Sequence, residues 1–320
     1  MIGRRGKVLI IVYVAFLAVL LLMCSTDLII REPEREVYQV AVIIEDTRSD
    51  NYSNFRKGMD QAAMEFNVDV HFITLYEKLD AAQQMELMER EEQDGADALV
   101  VVPADEGQVA GKQMTIPVIL LRSGLTQGAV TGNIIIDYEK MGGQLAQEIL
   151  KDIPEDASIF LLVDREKQSR ADFLFLKGAG AVFAGKGRSI EMIARNGDDG
   201  GKVPLESLSK RTEKKAVVLA QNQEILTEAA GVLANSPEAA GSVLGLYGRG
   251  NTMPILNDLE RDYITGICVT DDFSIGYLSV REAVRVLEGA GSPPVVMDSY
   301  YIEKQDLQEP GFEKLLYPIE

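Results

Sequence analysis

From Val37 onward, short apolar runs alternate with longer amphipathic stretches. The runs VAVII (40–44), VDVHFITL (68–75), ADALVVV (96–102) and IPVILL (116–121) predict a first series of strands. Between the first three, apolar residues recur at i, i+3 and i+4 over roughly 53–66 and 80–94, the period of an amphipathic helix. Ser53 and Asp80 stand where N-caps are expected. Continuous apolar runs suit parallel strands whose two faces are both covered by helices. After Asp137 a second series follows: SIFLLV (158–163), SIEMIA (189–194), KAVVLA (215–220), SVLGLY (242–247) and ITGICV (264–269). Helical patterns fall near 139–151, 170–184, 222–234 and 273–288. This repeated alternation predicts an α/β protein with two doubly wound parallel-sheet lobes.

A different pattern precedes the lobes. Val8 to Thr26 is an uncharged run of 19 residues, with Arg4, Arg5 and Lys7 before it and Asp27 after it. About 20 apolar residues cross a bilayer as a helix, and basic residues stay on the cytoplasmic side. Residues 1–30 are therefore expected to be a cytoplasmic stub and a single-pass anchor in the cell membrane, spanning 8–26, with the body outside the cytoplasm. A lipoprotein signal or a cleaved secretion signal shares the basic start and apolar centre. Both want small residues before the cut, and Leu22-Met23 before Cys24 are bulky.

Charge narrows the partners. The chain carries 32 Lys+Arg and 50 Asp+Glu, a net of −18. Leaving out residues 1–30 gives 29 basic and 49 acidic, a net of −20. So acidic a body repels phosphate backbones, and nucleic acid is excluded as a partner. With one histidine, His71, and two cysteines, Cys24 and Cys268, a disulfide-dense scaffold is ruled out, and a zinc site or Ser-His-Asp triad would have to be built around that one histidine. His71 is read as a strand residue and Cys268 as a small buried hydrophobe. Gly180 to Gly187 nearly spells a P-loop, but Gly187 replaces the Ser/Thr that would hold Mg²⁺ and a helical pattern precedes it, so it reads as a helix end and turn. GRGN (248–251) either offers backbone amides to a ligand or is an ordinary βα turn. Gly197-Asp198-Asp199-Gly200-Gly201 lacks the Ca²⁺-loop spacing and reads as a solvated loop. No nucleophile elbow, nucleotide fingerprint or separable carboxylate pair points to an enzyme, and no cofactor is implied.

Six segments carry a family resemblance, in the family's order: VAVIIEDTRSDNYSNFRKGMDQAA, DALVVVPAD, IPVILLRSG, IIIDYEKMGGQLAQEIL, AVVLAQNQEILTEAAGVL and VTDDFSIGYLSVREAVRVLEG. Over about residues 38–305 the chain resembles the type I periplasmic binding proteins, the sugar receptors of ABC importers and chemoreceptors. The resemblance implies a hinged body with lobes at 37–122 plus 271–292 and at 137–270 plus 295–305. Crossings are expected near 122–137, 270–273 and 292–295, followed by a tail at 306–320. An anchor rather than a helix-turn-helix stands ahead of the domain, which favours a surface receptor over a regulator.

The resemblance also implies a ligand between the lobes, a small polar molecule of carbohydrate type held by aromatic rings and by Asn, Asp, Arg and Gln. Carried onto this sequence, the expected contacts are Arg48, Asn51, Tyr52, Arg122, Asn222, Tyr247 and Thr270. Arg122-Ser123 stand where the family commonly has Asp-Arg, Tyr247 where it has Asp, and Thr270 where it has an amide; its usual arginine early in the second lobe's first helix is displaced, the aligned stretch being DFLFLKG. Pro103 to Ile116 is several residues short for a full helix. Asn222 serves either a ligand or the N-cap of its helix, and Arg122 either a ligand or Glu45 or Asp46; Asp271 and Asp272 read as helix caps. An ABC permease or a membrane sensor kinase is the expected partner. The rival reading is a docking protein whose cleft has lost its solute.

Overall fold

The computed structural model describes residues 4–25, 37–125, 128, 130–195, 205 and 216–318. It divides into two units, Met1–Val37 and Tyr38–Glu320. The first holds one helix, α1 (Arg4–Ser25), whose described side chains at 9–21 are exposed. Among the described residues no helix is long and apolar enough to cross a membrane.

The second unit holds two six-stranded sheets. The first combines β1 (Tyr38–Ile43), β2 (Val68–Ile73), β3 (Ala98–Val101), β4 (Val118–Leu121), β5 (Val130–Ile136) and β11 (Val295–Met297), in the order β11-β5-β4-β3-β1-β2. All its pairs are parallel. The other combines β6 (Ser158–Val163), β7 (Ile190–Ala194), β8 (Ala216–Ala220), β9 (Val243–Arg249), β10 (Gly266–Thr270) and β12 (Ser299–Ile302), in the order β12-β10-β9-β8-β6-β7. Only β12 runs antiparallel to its neighbour. Strands β3, β4 and β8 are buried along their whole length, as continuous apolar runs require.

Helices α2 (Ser53–Phe66), α3 (Ala81–Gln93) and the six-residue α4 (Glu106–Gly111) follow strands of the first sheet. Helices α5 (Tyr138–Asp152), α6 (Arg170–Gly185), α7 (Gln223–Asn235), α8 (Pro237–Ser242) and α9 (Met253–Glu260) belong to the second lobe. Helix α10 (Asp272–Leu287) returns to the first lobe, and α11 (Pro310–Leu316) ends the described chain. Each lobe is closed by one tight helix crossing. A Cβ on Gly58 or Gly276 would lie 1.9 Å from a carbonyl oxygen of the partner helix, where α2 crosses α10. Gly142 and Gly178 do the same where α5 crosses α6.

The chain passes between lobes at Asp137, Asp271 and Asp298, at the ends of β5, β10 and β11. The third crossing thus lies beyond the expected 292–295: β11 pairs with β5, so Val295–Met297 belong to the first lobe rather than the second. The span expected only as a crossing, 122–137, contains β5, where Gly132 and Asn133 interrupt the apolar signal. The tail packs Leu307 and Leu316 into the second lobe's core. It also reaches the first lobe: the Asn54 amide donates to the Leu316 carbonyl at 3.0 Å, and the Lys57 ammonium to that of Pro318 at 3.1 Å.

Other features read from the sequence fall as follows. Gly180 to Gly187 is the end of α6 and a turn, with Gly187 at φ +68°. Exposed His71 lies on β2, 3.6 Å from the Glu91 carboxylate. Gly197 to Gly201 lies outside the described residues.

Candidate functional site

The parallel strands of both sheets point their C-terminal ends at the cleft between the lobes. There the N-termini of α2, α5, α6, α7 and α10 converge with the loops that precede them. Doubly wound sheets bind ligands at this edge. Two adjoining chambers occupy it: an inner one of about 80 Å³ and an outer one of about 730 Å³. At roughly 10–15 Å³ per water-sized position, the inner chamber holds about five to eight such positions, the scale of one small polyol.

Two arginines from opposite lobes dominate the inner chamber. Arg122 follows β4 directly with φ +60°, in the left-handed region that favours glycine. Its guanidinium lies 4.9 Å over the Tyr52 ring, donates to the Tyr52 hydroxyl at 3.1 Å and pairs with Glu45 at 3.5 Å. Tyr52 in turn donates to Glu45 at 2.6 Å. Arg249 ends β9 and lies 4.8 Å over the Tyr138 ring and 5.5 Å over Phe175. It donates to Asp172 at 2.5 Å and to the Gln221 carbonyl at 3.4 Å. Neither arginine spends all its N–H groups on the protein; Arg122 Nε and its second Nη have no partner among the described residues.

Carboxylates balance these cations. Burial pushes Glu45 and Asp272 above the usual carboxylate range, against the pull of Arg122. Asp272 accepts from the Thr270 hydroxyl at 2.8 Å, and Asn251 donates to the Thr270 carbonyl at 3.3 Å. Asp46 accepts from the backbone N–H groups of Thr47 and Arg48 and from the Asn51 amide. Burial opposes charge on Arg122, yet Tyr52, Tyr138, Glu45 and Asp272 hold its pKa above the ordinary value.

A second cluster lies across the outer chamber. Lys78 of the first lobe donates to Glu224 of the second at 2.9 Å, and Arg195 donates to the same carboxylate at 2.9 Å. Burial raises the Glu224 pKa, but these two hydrogen bonds and charges outweigh it and bring it to about 2. Among the described residues no group of three or more His, Cys, Asp or Glu is placed to hold a metal ion.

Of the expected contacts, Asn51, Tyr52, Arg122, Asn222 and Thr270 line the inner chamber, and Arg48 and Asn51 the outer one. Arg48 is exposed and paired with Asp50 at 2.7 Å. Tyr52 is buried under Arg122, with Phe55 edge-on at 5.9 Å, so its ring face is already covered. The Asn222 side chain accepts from the Ile225 backbone N–H and caps α7. Tyr247 is a correction: it is a buried core residue lining neither chamber, because β9 runs two residues past it and presents Arg249 at the strand end instead. Asp271 caps α10 through the Ser274 N–H, whereas Asp272 faces the chamber rather than capping.

Sequence reasoning passed over Glu45, Tyr138, Asp172, Arg249 and Asn251 as contacts. Of the GRGN turn, Arg249, Gly250 and Asn251 all line the chamber. Cys268 is buried, lines the inner chamber, and has its thiol pushed up to about 12 by burial.

Two doubly wound lobes meeting at a small polar chamber define a two-lobed binding architecture. The chain belongs to the periplasmic binding protein domain family, which matches residues 40–291. A solute-binding protein of a carbohydrate transporter from Agrobacterium radiobacter, solved with D-arabinose, superposes with a TM-score of 0.76 at 17% identity, covering 88% of this chain and 99% of that one. A Bacillus halodurans ABC transporter solute-binding protein with bound myo-inositol gives 0.73 at 17%, covering 88% and 99%. The periplasmic component of an ABC-type sugar transport system from Hahella chejuensis gives 0.70 at 20%, covering 83% and 99%. At such identities the likeness is one of fold. A search of curated proteins finds no sequence match.

Proposed function

We propose that this protein is a solute-binding protein that closes its two lobes on a small polyhydroxylated ligand of the sugar or cyclitol class, serving ABC import or sensing. The observation that carries this reading is the inner chamber, where Arg122 and Arg249 approach from opposite lobes with unspent N–H donors among buried carboxylates. Adjacent hydroxyls accept from a guanidinium and donate to a carboxylate, so a polyol satisfies both sets at once. A ligand bridging the lobes favours the closed state by its differential affinity. The arabinose and myo-inositol bound to the fold's relatives lend support.

Anchoring belongs to the same proposal. The uncharged 19-residue run behind Arg4, Arg5 and Lys7 supports a single-pass segment over 8–26 with the body outside the cytoplasm. An anchored receptor hands its solute to a permease or docks on a membrane sensor kinase.

The test is calorimetric titration of the full-length protein, in a detergent without a sugar headgroup, against pentoses, hexoses and cyclitols. Saturable binding is expected, weakened about tenfold or more by Arg122→Gln, since a hydrogen bond to a charged group contributes about 1.5–3 kcal/mol. Thr270→Val serves as the second variant should Arg122→Gln not fold. A folded protein that binds no member of the panel sinks the reading.

A further inference from the structure

The aromatic faces of the cleft are unevenly spent. In the inner chamber the rings are Tyr52 and Tyr138, and each already carries a guanidinium, Arg122 at 4.9 Å and Arg249 at 4.8 Å. A sugar ring placed there meets donors and carboxylates but no free aromatic plane. The outer chamber differs. Its one aromatic residue, Tyr76, is 91% exposed and has no ring or cation partner among the described residues. The Tyr76 backbone N–H donates to the Gln83 side chain at 2.8 Å, which holds the residue at the rim. Across the chamber the second lobe presents Met253, 55% exposed, and Pro254. An exposed tyrosine and an exposed methionine that line one polar chamber from opposite lobes contribute nothing to folding that packing would explain.

The two chambers are continuous in their lining: Asp46, Asn51, Lys78, Gln223, Asn251 and Asp272 border both. The outer chamber, at about 730 Å³ against about 80 Å³, exceeds what a single small polyol held in the inner one would need. We propose that the outer chamber is a second subsite, and that the natural ligand is a glycoside: one polyhydroxylated ring in the inner chamber, joined to a second flat-faced ring, sugar or aryl, that stacks on Tyr76. The C–H face of a sugar or the plane of an aryl group suits an uncovered phenol ring. This rests on the polyol reading of the inner chamber and extends it outward.

The experiment titrates the full-length protein, in the same sugar-free detergent, with matched probes: glucose against cellobiose and 4-nitrophenyl β-glucoside, galactose against lactose and 4-nitrophenyl β-galactoside, and xylose against xylobiose. The expected result is that in at least one series the two-ring probe binds about tenfold more tightly than its one-ring counterpart. Tyr76→Ala should bring that ratio close to one, and Tyr76→Phe should retain it. Equal affinities for one- and two-ring probes in the wild type, or a ratio that survives Tyr76→Ala, overturn the second subsite and leave the inner-chamber reading standing. A folded protein that binds none of the probes overturns both.

Discussion

Arg249 is held by three kinds of contact at once: a 2.5 Å hydrogen bond to Asp172, the faces of Tyr138 and Phe175, and the Gln221 carbonyl. The Asp172 side chain is only 4% exposed, and its other oxygen accepts from the Ser169 N–H in a capping box at the start of α6. Removing the cation while leaving that carboxylate buried is the costly way to break such a pair. Arg249→Met should destabilise the fold by about 3–5 kcal/mol, and the double variant Arg249→Met/Asp172→Leu should recover most of the loss. Urea unfolding of the two variants measures this; equal stability of Arg249→Met and wild type would mean water already screens Asp172. The same residue shows what the sequence carried at this scale. The family pattern led to a position two residues upstream, Tyr247, because the apolar run ends there while the strand does not. Asp172 stood within DFLFLKG, where the family's arginine was missing, and pairing it with Arg249 requires contact across 77 residues that no local pattern encodes. Tyr52, Arg122 and Thr270 were legible because each sits at the end of a strand or in the loop just after one, and that edge is set by topology.

At the scale of elements, two helix pairs close the lobes, and both crossings rest on glycine. Gly276 and Gly142 each have a backbone carbonyl where a Cβ would go, and a backbone oxygen cannot step aside as a side-chain tip can. Gly276→Ala and Gly142→Ala should therefore each cost at least the roughly 1–3 kcal/mol of an overpacked core. Gly231, inside α7, has nothing within 4 Å of its Cβ position. Gly231→Ala should stabilise by about 0.5–1 kcal/mol through helix propensity alone. Thermal unfolding of the three variants checks the opposite signs; a loss at Gly231 or neutrality at Gly276 would contradict the packing described. The long helices were readable from their 3.6 period within a residue or two, since each buries one apolar face. Strands β5 and β11 were not. The first carries Gly132 and Asn133, and the second is three residues long with Val296 exposed at the sheet edge.

Among the described residues, the two lobes are also tied across the cleft at two places besides the chamber's arginines. One is the tail, whose Leu316 is buried in the second lobe's core while its carbonyl accepts from Asn54 of the first. The other is the Lys78–Glu224 pair, in which each lobe supplies one charge. Neither tie was visible in the sequence, because each joins residues that only closure brings together. The second has a proton dependence with a definite sign. The Arg195 and Lys78 contacts bring the Glu224 pKa to about 2, below the ordinary carboxylate value of 4.5. A depressed pKa contributes stability that is present above the unpaired value and is lost as pH falls through the depressed one. Arg195 shares the second lobe with Glu224 and keeps its hydrogen bond on opening, so only the Lys78 share of the depression belongs to the tie, and the closed form should lose that share as the pH falls toward 2. Glu224 is partly exposed, so salt should weaken the tie as well. Spin labels at exposed Met64 and Met192, one in each lobe, in a Cys24→Ser background, report the interlobe distance by electron–electron resonance. The wild type should lengthen as the pH is lowered from 7 to 3, whereas Glu224→Gln should be longer already at pH 7 and respond less to acid. A Glu224→Gln protein whose distances match the wild type at both pH values would show that the tail and the inner-chamber contacts hold the lobes together without this pair.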